Sequence, residues 1–253
     1  MCFELDSSPP IPVLRGAAVS HEDLVLEARD GNRFAAFAAY PDQATGIGIA
    51  VLPDVRGLYH FYEELAIRLA EAGHDAIAID YFGRTAGIGD RGDAFPYNDH
   101  VPQVTDDGLT ADVAAAVARL RRANPDRAIF TLGFCFWGSS SWQQAAHGHG
   151  LAGAIGFYGR PDGQRPQRAK TPIELAPEMA SPILGLMGGA DPGIPAETVA
   201  RFEKALVEAG VEHEIVTYEG APHSFFDRKY DDYADESADA WRRVLEFIRV
   251  HSA

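Results

Sequence analysis

The sequence predicts an α/β fold in which a mostly parallel sheet carries helices on both faces and begins with antiparallel strands. Short apolar runs typical of buried strands alternate with amphipathic helical runs, and no repeat or low-complexity tract interrupts them. At 253 residues the chain is long enough to bury one sizeable core. We therefore expect a single domain over residues 1–253, of which residues 1–22 form an extended N-terminal segment.

Two early strands are predicted over residues 24–28 and 33–40. The run Asp30-Gly31-Asn32 lies between them and is a turn signal typical of a hairpin. We therefore expect the sheet to begin antiparallel. The later buried strands alternate with helices and are expected to be parallel; they cover residues 46–52, 75–80, 127–133, 151–158, 182–187 and 211–218.

The helical runs carry their apolar residues at spacings of three and four, which predicts one buried face on each helix. These faces consist of Phe61, Leu65 and Leu69, of Leu109, Val113, Val117 and Leu120, and of Trp241, Leu245 and Ile248, with one further helix over residues 195–209. Residues 82–106 are rich in Gly, Asp and Pro. We predict that they form a long loop that partly covers the functional site.

The charge balance disfavours several classes of partner. Lys and Arg number 22 against 37 Asp and Glu, and a net charge of −15 repels nucleic acid and anionic membrane surfaces. The sequence has no apolar run of membrane-spanning length, and its start lacks the pattern of a secretory signal, so a cytoplasmic location is expected. Cys2 and Cys135 are too few and too differently placed for a disulfide framework.

Cys135 stands in the run GFCFWG, between a predicted strand and a predicted helix. A cysteine flanked by glycines at such a turn indicates a nucleophile elbow, and the positive end of the following helix favours a thiolate. Alternatively, Cys135 is a small buried apolar residue, as most free cysteines are. The serines at 139–141 are a rival nucleophile, but they lie beyond the strand, and we predict that they cap the helix and form its polar surface.

An acid and a histidine follow Cys135 in chain order. Asp191 comes directly after an apolar strand, and His223 follows the last predicted strand. Taken singly, Asp191 could be a turn residue and His223 a surface loop residue. Together with the cysteine, they reproduce the nucleophile, acid, histidine order of α/β-hydrolases. His147 and His149 could suggest a metal pair, but no third ligand with useful spacing stands nearby, so no metal is expected.

These residues resemble the dienelactone hydrolase family, which consists of α/β-hydrolases with a cysteine nucleophile. Its elbow reads Gly-aromatic-Cys-x-Gly-Gly and its histidine lies in a Gly-x-x-His-Ser-Phe loop; here the corresponding runs are GFCFWG and GAPHSF. The runs MGGADPGIP and GFYG are also similar to family segments. The resemblance covers nearly the whole chain, from about residue 24 to residue 248.

The resemblance implies a role for each matching residue. Cys135 would attack an ester or lactone carbonyl, His223 would carry the proton to the leaving oxygen, and Asp191 would orient the imidazole. The backbone N–H groups of Phe136 and Val55 would bind the oxyanion. The family needs no metal and no organic cofactor.

Further residues match family positions around the nucleophile. Asp54 stands where the family has a carboxylate, usually glutamate, that helps to generate the thiolate, although a turn residue is the alternative. Arg84 and Arg228 stand at places comparable to arginines that hold an anionic substrate, or are solvated surface charges. Trp137 replaces the usual glycine and either fills the pocket or packs beneath the helix, and Tyr158 is a candidate pocket wall.

The sequence therefore predicts an α/β-hydrolase that cleaves a small ester or enol-lactone through a Cys135 acyl-enzyme. One alternative is a broad carboxylesterase or thioesterase that acts on a neutral ester. Another is a non-catalytic binding or redox-sensing protein on the same scaffold. The expected partner is a small-molecule substrate, and a monomer or a homodimer is equally compatible with the sequence.

Overall fold

The computed structural model describes residues 3–14, 16–163 and 169–252. Cys2 lies outside the described residues. The eight strands are β1 (Val19–Glu27), β2 (Arg33–Pro41), β3 (Ile47–Leu52), β4 (Asp75–Ile79), β5 (Ala128–Phe134), β6 (Gly153–Phe157), β7 (Ile183–Gly188) and β8 (His213–Tyr218). They form one sheet with the order β1-β2-β4-β3-β5-β6-β7-β8.

The helices lie between and after the strands. They are α1 (His60–Glu71), α2 (Gly83–Ala86), α3 (Tyr97–His100), α4 (Asp106–Arg121), α5 (Phe136–Gln144), α6 (Pro172–Leu175), α7 (Ala196–Ala209) and α8 (Ala234–His251). Short 3-10 turns extend α3 and α6 and precede α8. The predicted loop over residues 82–106 thus contains two short helices.

The first strands pair antiparallel, as the turn signal predicts. Leu24 of β1 lies opposite Ala36 of β2, and Ala36 lies opposite Ile79 of β4, again antiparallel. The other neighbouring strands pair parallel. β1 begins at Val19, so its first four residues fall within the segment over residues 1–22 that was predicted to precede the sheet.

Helices cover both faces of the sheet. Alternate residues of β3 belong to different apolar clusters: Ile49 packs with residues of α1, while Ala50 packs with residues of α4. This alternation follows from the period of two along a strand and requires both faces of a central parallel strand to be covered. The predicted mostly parallel sheet with helices on both faces is confirmed.

The three serines after the elbow do lie in helix α5, but the prediction that they form a polar surface is wrong. Ser139, Ser140 and Ser141 are all buried. Helix α5 packs on the centre of the sheet, against β5 and β6, where only small side chains allow close approach. The Ser141 hydroxyl is satisfied inside the core, because it donates to the Thr131 hydroxyl at 2.9 Å.

The N-terminal residues 3–12, hereafter the N-terminal strap, lie against the body of the protein. Phe3 is 2% exposed, and its ring stacks on Phe61 with centroids 3.9 Å apart. At the other end, the Arg228 backbone N–H donates to the Ser8 carbonyl at 3.0 Å. The strap therefore joins the segment around α1 to the loop that follows β8.

Candidate active site

Cys135 lies at the turn between β5 and α5, and the backbone there is strained. Its φ of 56° and ψ of −124° place a non-glycine residue in a region that L-residues rarely adopt. The turn is held by hydrogen bonds of 3.0 Å, from the Cys135 N–H to the Phe157 carbonyl and from the Gly138 N–H to the Cys135 carbonyl. The side chain is partly buried at the edge of the sheet.

The flanking glycines are required by close backbone approach. A Cβ on Gly133 would lie 2.2 Å from the Trp137 carbonyl oxygen, and one on Gly138 would lie 2.4 Å from the Phe157 carbonyl oxygen. Both neighbours are backbone atoms that cannot rotate away. The geometry is therefore that of a nucleophile elbow, with the side chain at its apex.

The structure brings Cys135, His223 and Asp191 together, although they follow three different strands. The His223 Nε2 atom lies 3.1 Å from the Cys135 Sγ atom, and the His223 Nδ1–H donates to Asp191 Oδ2 at 2.5 Å. The Gly193 N–H donates to Asp191 Oδ1 at 2.8 Å and fixes the carboxylate. The carboxyl ends of β5, β7 and β8 lie at one edge of the sheet, which explains the convergence.

The electrostatics of this chain favour a protonated imidazole. Burial acts to lower the pKa of His223, but the hydrogen bonds to Asp191 and Cys135 outweigh it and raise that pKa to about 9. For Asp191, burial is the largest single influence and acts to raise the pKa, but the hydrogen bond and charge of His223 and the hydrogen bond from the Gly193 N–H together outweigh it and hold the pKa below its usual value. At neutral pH the arrangement therefore favours an imidazolium between a carboxylate and the sulfur.

Asp54 lies near this group, two residues beyond the end of the neighbouring strand β3. Leu52 of β3 pairs with Gly133 of β5, so Asp54 and Cys135 each stand two residues beyond a directly paired position. The Asp54 side chain is completely buried, and burial raises its pKa to about 7, an effect to which the charge on Cys135 adds. A carboxyl group with this pKa can either accept or release a proton at neutral pH.

The two residues whose N–H groups are predicted to bind the oxyanion each lie directly after a residue of the site. Phe136 is the first residue of α5, and Val55 lies in the turn after β3, each one residue beyond Cys135 and Asp54. Val55 also lines a cleft of about 660 Å³, hereafter the Val55 cleft. Its lining residues are Glu4, Leu5, Asp6, Val55, Arg56, Asp93, Tyr97 and Asn98. Part of the segment 82–106 and part of the N-terminal strap thus line the cleft that contains Val55, and covering of Cys135 by that segment stays a prediction.

The two arginines predicted to hold substrate lie elsewhere. The Arg84 guanidinium is engaged by Asp30 at 2.6 Å and by the buried Asp112 at 2.8 Å, which joins the β1–β2 hairpin to α4. Arg228 is exposed, and its guanidinium donates to the Pro9 carbonyl of the strap at 3.2 Å. Neither lines the Val55 cleft, so their roles in substrate binding stay predictions and the contacts seen are structural.

Trp137 and Tyr158 are both fully buried. Trp137 packs in the apolar cluster that includes residues of α4, with its ring centroid 4.2 Å from that of Tyr81. Tyr158 lies 5.0 Å from the His223 ring, between centroids, and supports the imidazole. Contact of either side chain with a substrate stays a prediction.

Four residues around the site were not identified from the sequence: Phe3, Arg56, Tyr59 and Tyr81. The Arg56 guanidinium and the Tyr59 hydroxyl both point to the Phe3 carbonyl oxygen, at 3.1 and 3.4 Å. The Tyr81 hydroxyl donates to the Asp54 carbonyl at 2.5 Å. The only sequence signal was the aromatic character of the segments that follow the strands, which is equally typical of core residues.

Comparison with known proteins identifies the family of this chain. The sequence matches the profile of the Dienelactone hydrolase family over residues 34–252. The chain belongs to the dienelactone hydrolase family. The predicted membership, the α/β-hydrolase fold and the assignment as a hydrolase are thereby confirmed.

Individual relatives extend over most of the chain. "Carboxymethylenebutenolidase" from Rhodococcus opacus is 30% identical over 254 residues, which cover 98% of this chain and 96% of the relative. A Yersinia pestis protein named "Putative carboxymethylenebutenolidase" is 31% identical, with 87% of this chain and 85% of the relative covered. The crystal structure named "Putative Dienelactone Hydrolase" from Klebsiella pneumoniae has a TM-score of 0.83 and 28% identity, and covers 92% of this chain and 99% of its own.

Residues 3–14, 16–163 and 169–252 contain neither a metal-binding group of side chains nor a membrane-spanning helix. This part of the chain contains no group of three or more His, Cys, Asp or Glu side chains arranged to hold a metal ion. His149 instead lies 2.9 Å from the Gln144 side-chain oxygen at the end of α5. Over the same residues, the helices are all too short or too polar to cross a bilayer.

Proposed function

We propose that this dienelactone hydrolase family member cleaves a small ester or enol-lactone through a thioacyl-enzyme on Cys135, with His223 and Asp191 as its partners. The observation that carries the proposal is the continuous contact from sulfur to imidazole to carboxylate, with distances of 3.1 and 2.5 Å. It is the arrangement that a cysteine nucleophile needs for proton transfer during acyl transfer.

The proposed reaction begins with the thiol proton. The hydrogen bond to Asp191 favours the protonated imidazole of His223, so the thiol proton needs another acceptor, and the nearby Asp54 carboxylate, whose pKa burial raises to about 7, can take it. The thiolate then attacks the carbonyl carbon. The N–H groups of Phe136 and Val55 bind the negative charge that develops on the carbonyl oxygen.

The tetrahedral intermediate collapses by breaking the bond to the leaving oxygen. The His223 Nε2–H gives its proton to that oxygen, so the alcohol or enol departs neutral and a thioester remains on Cys135. Neutral His223 then removes a proton from water, whose oxygen attacks the thioester. Taking this proton restores the imidazolium, expulsion of the thiolate releases the acid, and Asp54 returns its proton to the Cys135 sulfur, which regenerates the starting state. Throughout these steps Asp191 keeps Nδ1 protonated and the ring oriented.

The test uses p-nitrophenyl acetate and a dienelactone as substrates. We expect Cys135→Ala and His223→Ala each to lower kcat by at least about a thousandfold with the fold unchanged. His21→Ala, at an exposed position on β1, is the matched histidine control and is expected to retain wild-type kcat. Rapid acid quenching and mass spectrometry should detect an acyl group on Cys135. Full activity of either site variant contradicts the proposal, and no turnover of any ester by the unmodified chain favours a binding or sensing protein.

A broad esterase that acts on neutral esters is the second candidate, and the charge of the Val55 cleft favours it over an enzyme for strongly anionic substrates. The lining residues Glu4, Asp6 and Asp93 are acidic; Lys229 pairs with Glu4 and Asp6, and Arg56 is the cation of the lining, so the cleft holds one carboxylate more than cations. An anionic substrate would approach these carboxylates unfavourably. We therefore expect kcat/KM for a neutral ester to equal or exceed that for an anionic lactone of similar reactivity. The opposite ranking contradicts this candidate.

A further inference from the structure

The carboxylate of Asp54 is held by two donors from its own segment. The Arg56 backbone N–H donates to Oδ1 at 2.9 Å, and the Tyr59 hydroxyl donates to Oδ2 at 3.2 Å. Asp54 is 0% exposed and Tyr59 is 6% exposed, so water does not substitute easily for either contact. In such a buried position, each donor contributes strongly to whether the carboxyl group is charged.

The Tyr59 hydroxyl faces a second acceptor. Its oxygen lies 3.4 Å from the Phe3 carbonyl oxygen of the N-terminal strap, and it has only one proton to share between that carbonyl and Asp54. Phe3 is fixed by its stacking on Phe61 and by its contact with Tyr158, whose ring centroid is 6.2 Å away. The strap thus competes with the carboxylate for the proton of Tyr59.

The strap is anchored at both ends of the site. At its start, the Phe3 carbonyl accepts from Arg56 Nη1 at 3.1 Å. Further along, the Lys229 ammonium pairs with Glu4 at 3.0 Å and also with Asp6. Lys229 lies six residues beyond His223 on the loop after β8. The strap therefore links the turn that carries Asp54 to the loop that carries the histidine.

We propose that Tyr59 is a positioning residue for thiol activation, and that the N-terminal strap controls how much of its hydrogen bond reaches Asp54. This inference rests on the proposed function, since it assigns to Asp54 the acceptance of the thiol proton. The donation from Tyr59 favours the charged carboxylate that accepts this proton. The strap weakens that donation by offering the Phe3 carbonyl as a second acceptor.

Other charged and titratable groups also act on Asp54 from the elements packed around it. They are Arg56 on the same turn, Tyr59 at the N-cap of α1, Tyr62 within α1, Tyr81 after β4 and Cys135 at the elbow. His223 lies beyond Cys135, in contact with its sulfur. Tyr81 differs from Tyr59 in a useful way. Its hydroxyl donates to the backbone carbonyl of Asp54 and not to the carboxylate. The two tyrosines therefore form a matched pair for a test.

The experiment measures kcat/KM for p-nitrophenyl acetate and the rate of Cys135 alkylation by iodoacetamide, both as functions of pH. In Tyr59→Phe the Asp54 carboxylate loses a hydrogen-bond donor, so its pKa rises. The acidic limb of both pH profiles should therefore move to higher pH by about one unit. In Tyr81→Phe the limb should keep its wild-type position. In Asp54→Asn the limb should be absent, and adding Tyr59→Phe to it should cause no further change.

A chain that begins at Ser7 tests the strap and predicts the opposite sign. Removal of Phe3 removes a competing acceptor for the Tyr59 proton and admits water to the Asp54 carboxylate, so the acidic limb should move to lower pH than in the wild type. If this truncated chain does not fold, Tyr59→Phe and Tyr81→Phe decide the matter.

The outcomes separate the two proposals. An acidic limb that does not shift in Tyr59→Phe, or that shifts equally in Tyr81→Phe and Tyr59→Phe, overturns this inference. Loss of activity in Cys135→Ala would still support the proposed function in that case. A limb in the truncated chain that moves upward also overturns the inference. Full activity of Cys135→Ala overturns the proposed function itself.

Discussion

Replacement of Asp191 by Asn tests the electrostatic basis of the site. The hydrogen bonds to Asp191 and Cys135 raise the pKa of His223 from 6.5 to about 9 against the opposing effect of burial. At 1.36 kcal/mol for each pKa unit, this rise corresponds to about 3 kcal/mol of preference for the imidazolium. The conversion is reasonable because the His223 side chain is only 20% exposed. Asp191→Asn removes the larger of these two contributions and leaves the desolvation cost.

The expected sign follows from the raised pKa. The imidazolium is present below the pKa of His223 and is lost as the pH rises through it, so wild-type kcat/KM should fall above pH about 9. In Asp191→Asn the neutral imidazole predominates at lower pH, and the proton for the leaving oxygen is missing. We expect kcat/KM at pH 8 to drop about a hundredfold, with the basic limb displaced toward pH 6.5 or below.

The assay is a pH series of kcat/KM for an unactivated alkyl ester, whose leaving oxygen needs the proton, with iodoacetamide alkylation of Cys135 as a readout that needs no turnover. Asp162→Asn is the matched control, because Asp162 also carries a lowered pKa but pairs with Arg160 and Arg201 outside the site. The control should match the wild type in both measurements. A basic limb that stays near pH 9 in Asp191→Asn would refute the assignment of Asp191 as the source of the His223 shift.

Three further predictions concern stability, measured as the free energy of unfolding in urea. Trp137→Ala should cost about 3–5 kcal/mol, because the indole is fully buried; a value near zero would contradict its role as packing. Arg84→Ala should cost about 3 kcal/mol by leaving buried Asp112 without its cation, with kcat/KM for an anionic lactone retained in the folded fraction; a large loss of kcat/KM for that lactone would instead support substrate binding by Arg84. Gly133→Ala should cost about 3 kcal/mol or more, since the new Cβ would meet the Trp137 carbonyl at 2.2 Å; wild-type stability would show that the elbow can relax.

The chain order and the strand ends made the candidate site predictable. Cys135, Asp191 and His223 each follow an apolar run that reads as a buried strand, and parallel strands bring their carboxyl ends to one edge of a sheet. The glycines around the cysteine carry a local backbone requirement that is visible in the letters themselves. These signals are short-range or follow from topology, so they do not depend on how individual side chains pack.

The parts that were missed depend on contacts between distant segments. Tyr59 and Phe3 are 56 residues apart, and Arg84 and Asp30 are 54 apart. Nothing in the local sequence indicates that the Phe3 carbonyl approaches Tyr59, whose hydroxyl donates to Asp54. Nor does the local sequence indicate that Arg84 is already paired with Asp30. A charge has the same letter whether it is paired or free, and only the packing of the hairpin against α4 distinguishes the two for Arg84.

Trp137 stands where the family usually has glycine. The sequence shows this difference, but the contacts of the side chain depend on segments that are distant in the chain. Its indole is fully buried and packs on Tyr81, with ring centroids 4.2 Å apart. Tyr81 in turn donates to the Asp54 carbonyl at 2.5 Å. A glycine at position 137 would leave Tyr81 without this support. The bulky residue therefore packs on the tyrosine that binds the backbone of the turn that carries Asp54, and a smaller residue there is expected to lower the free energy of unfolding before it changes the pH dependence that the Asp54 carboxylate sets.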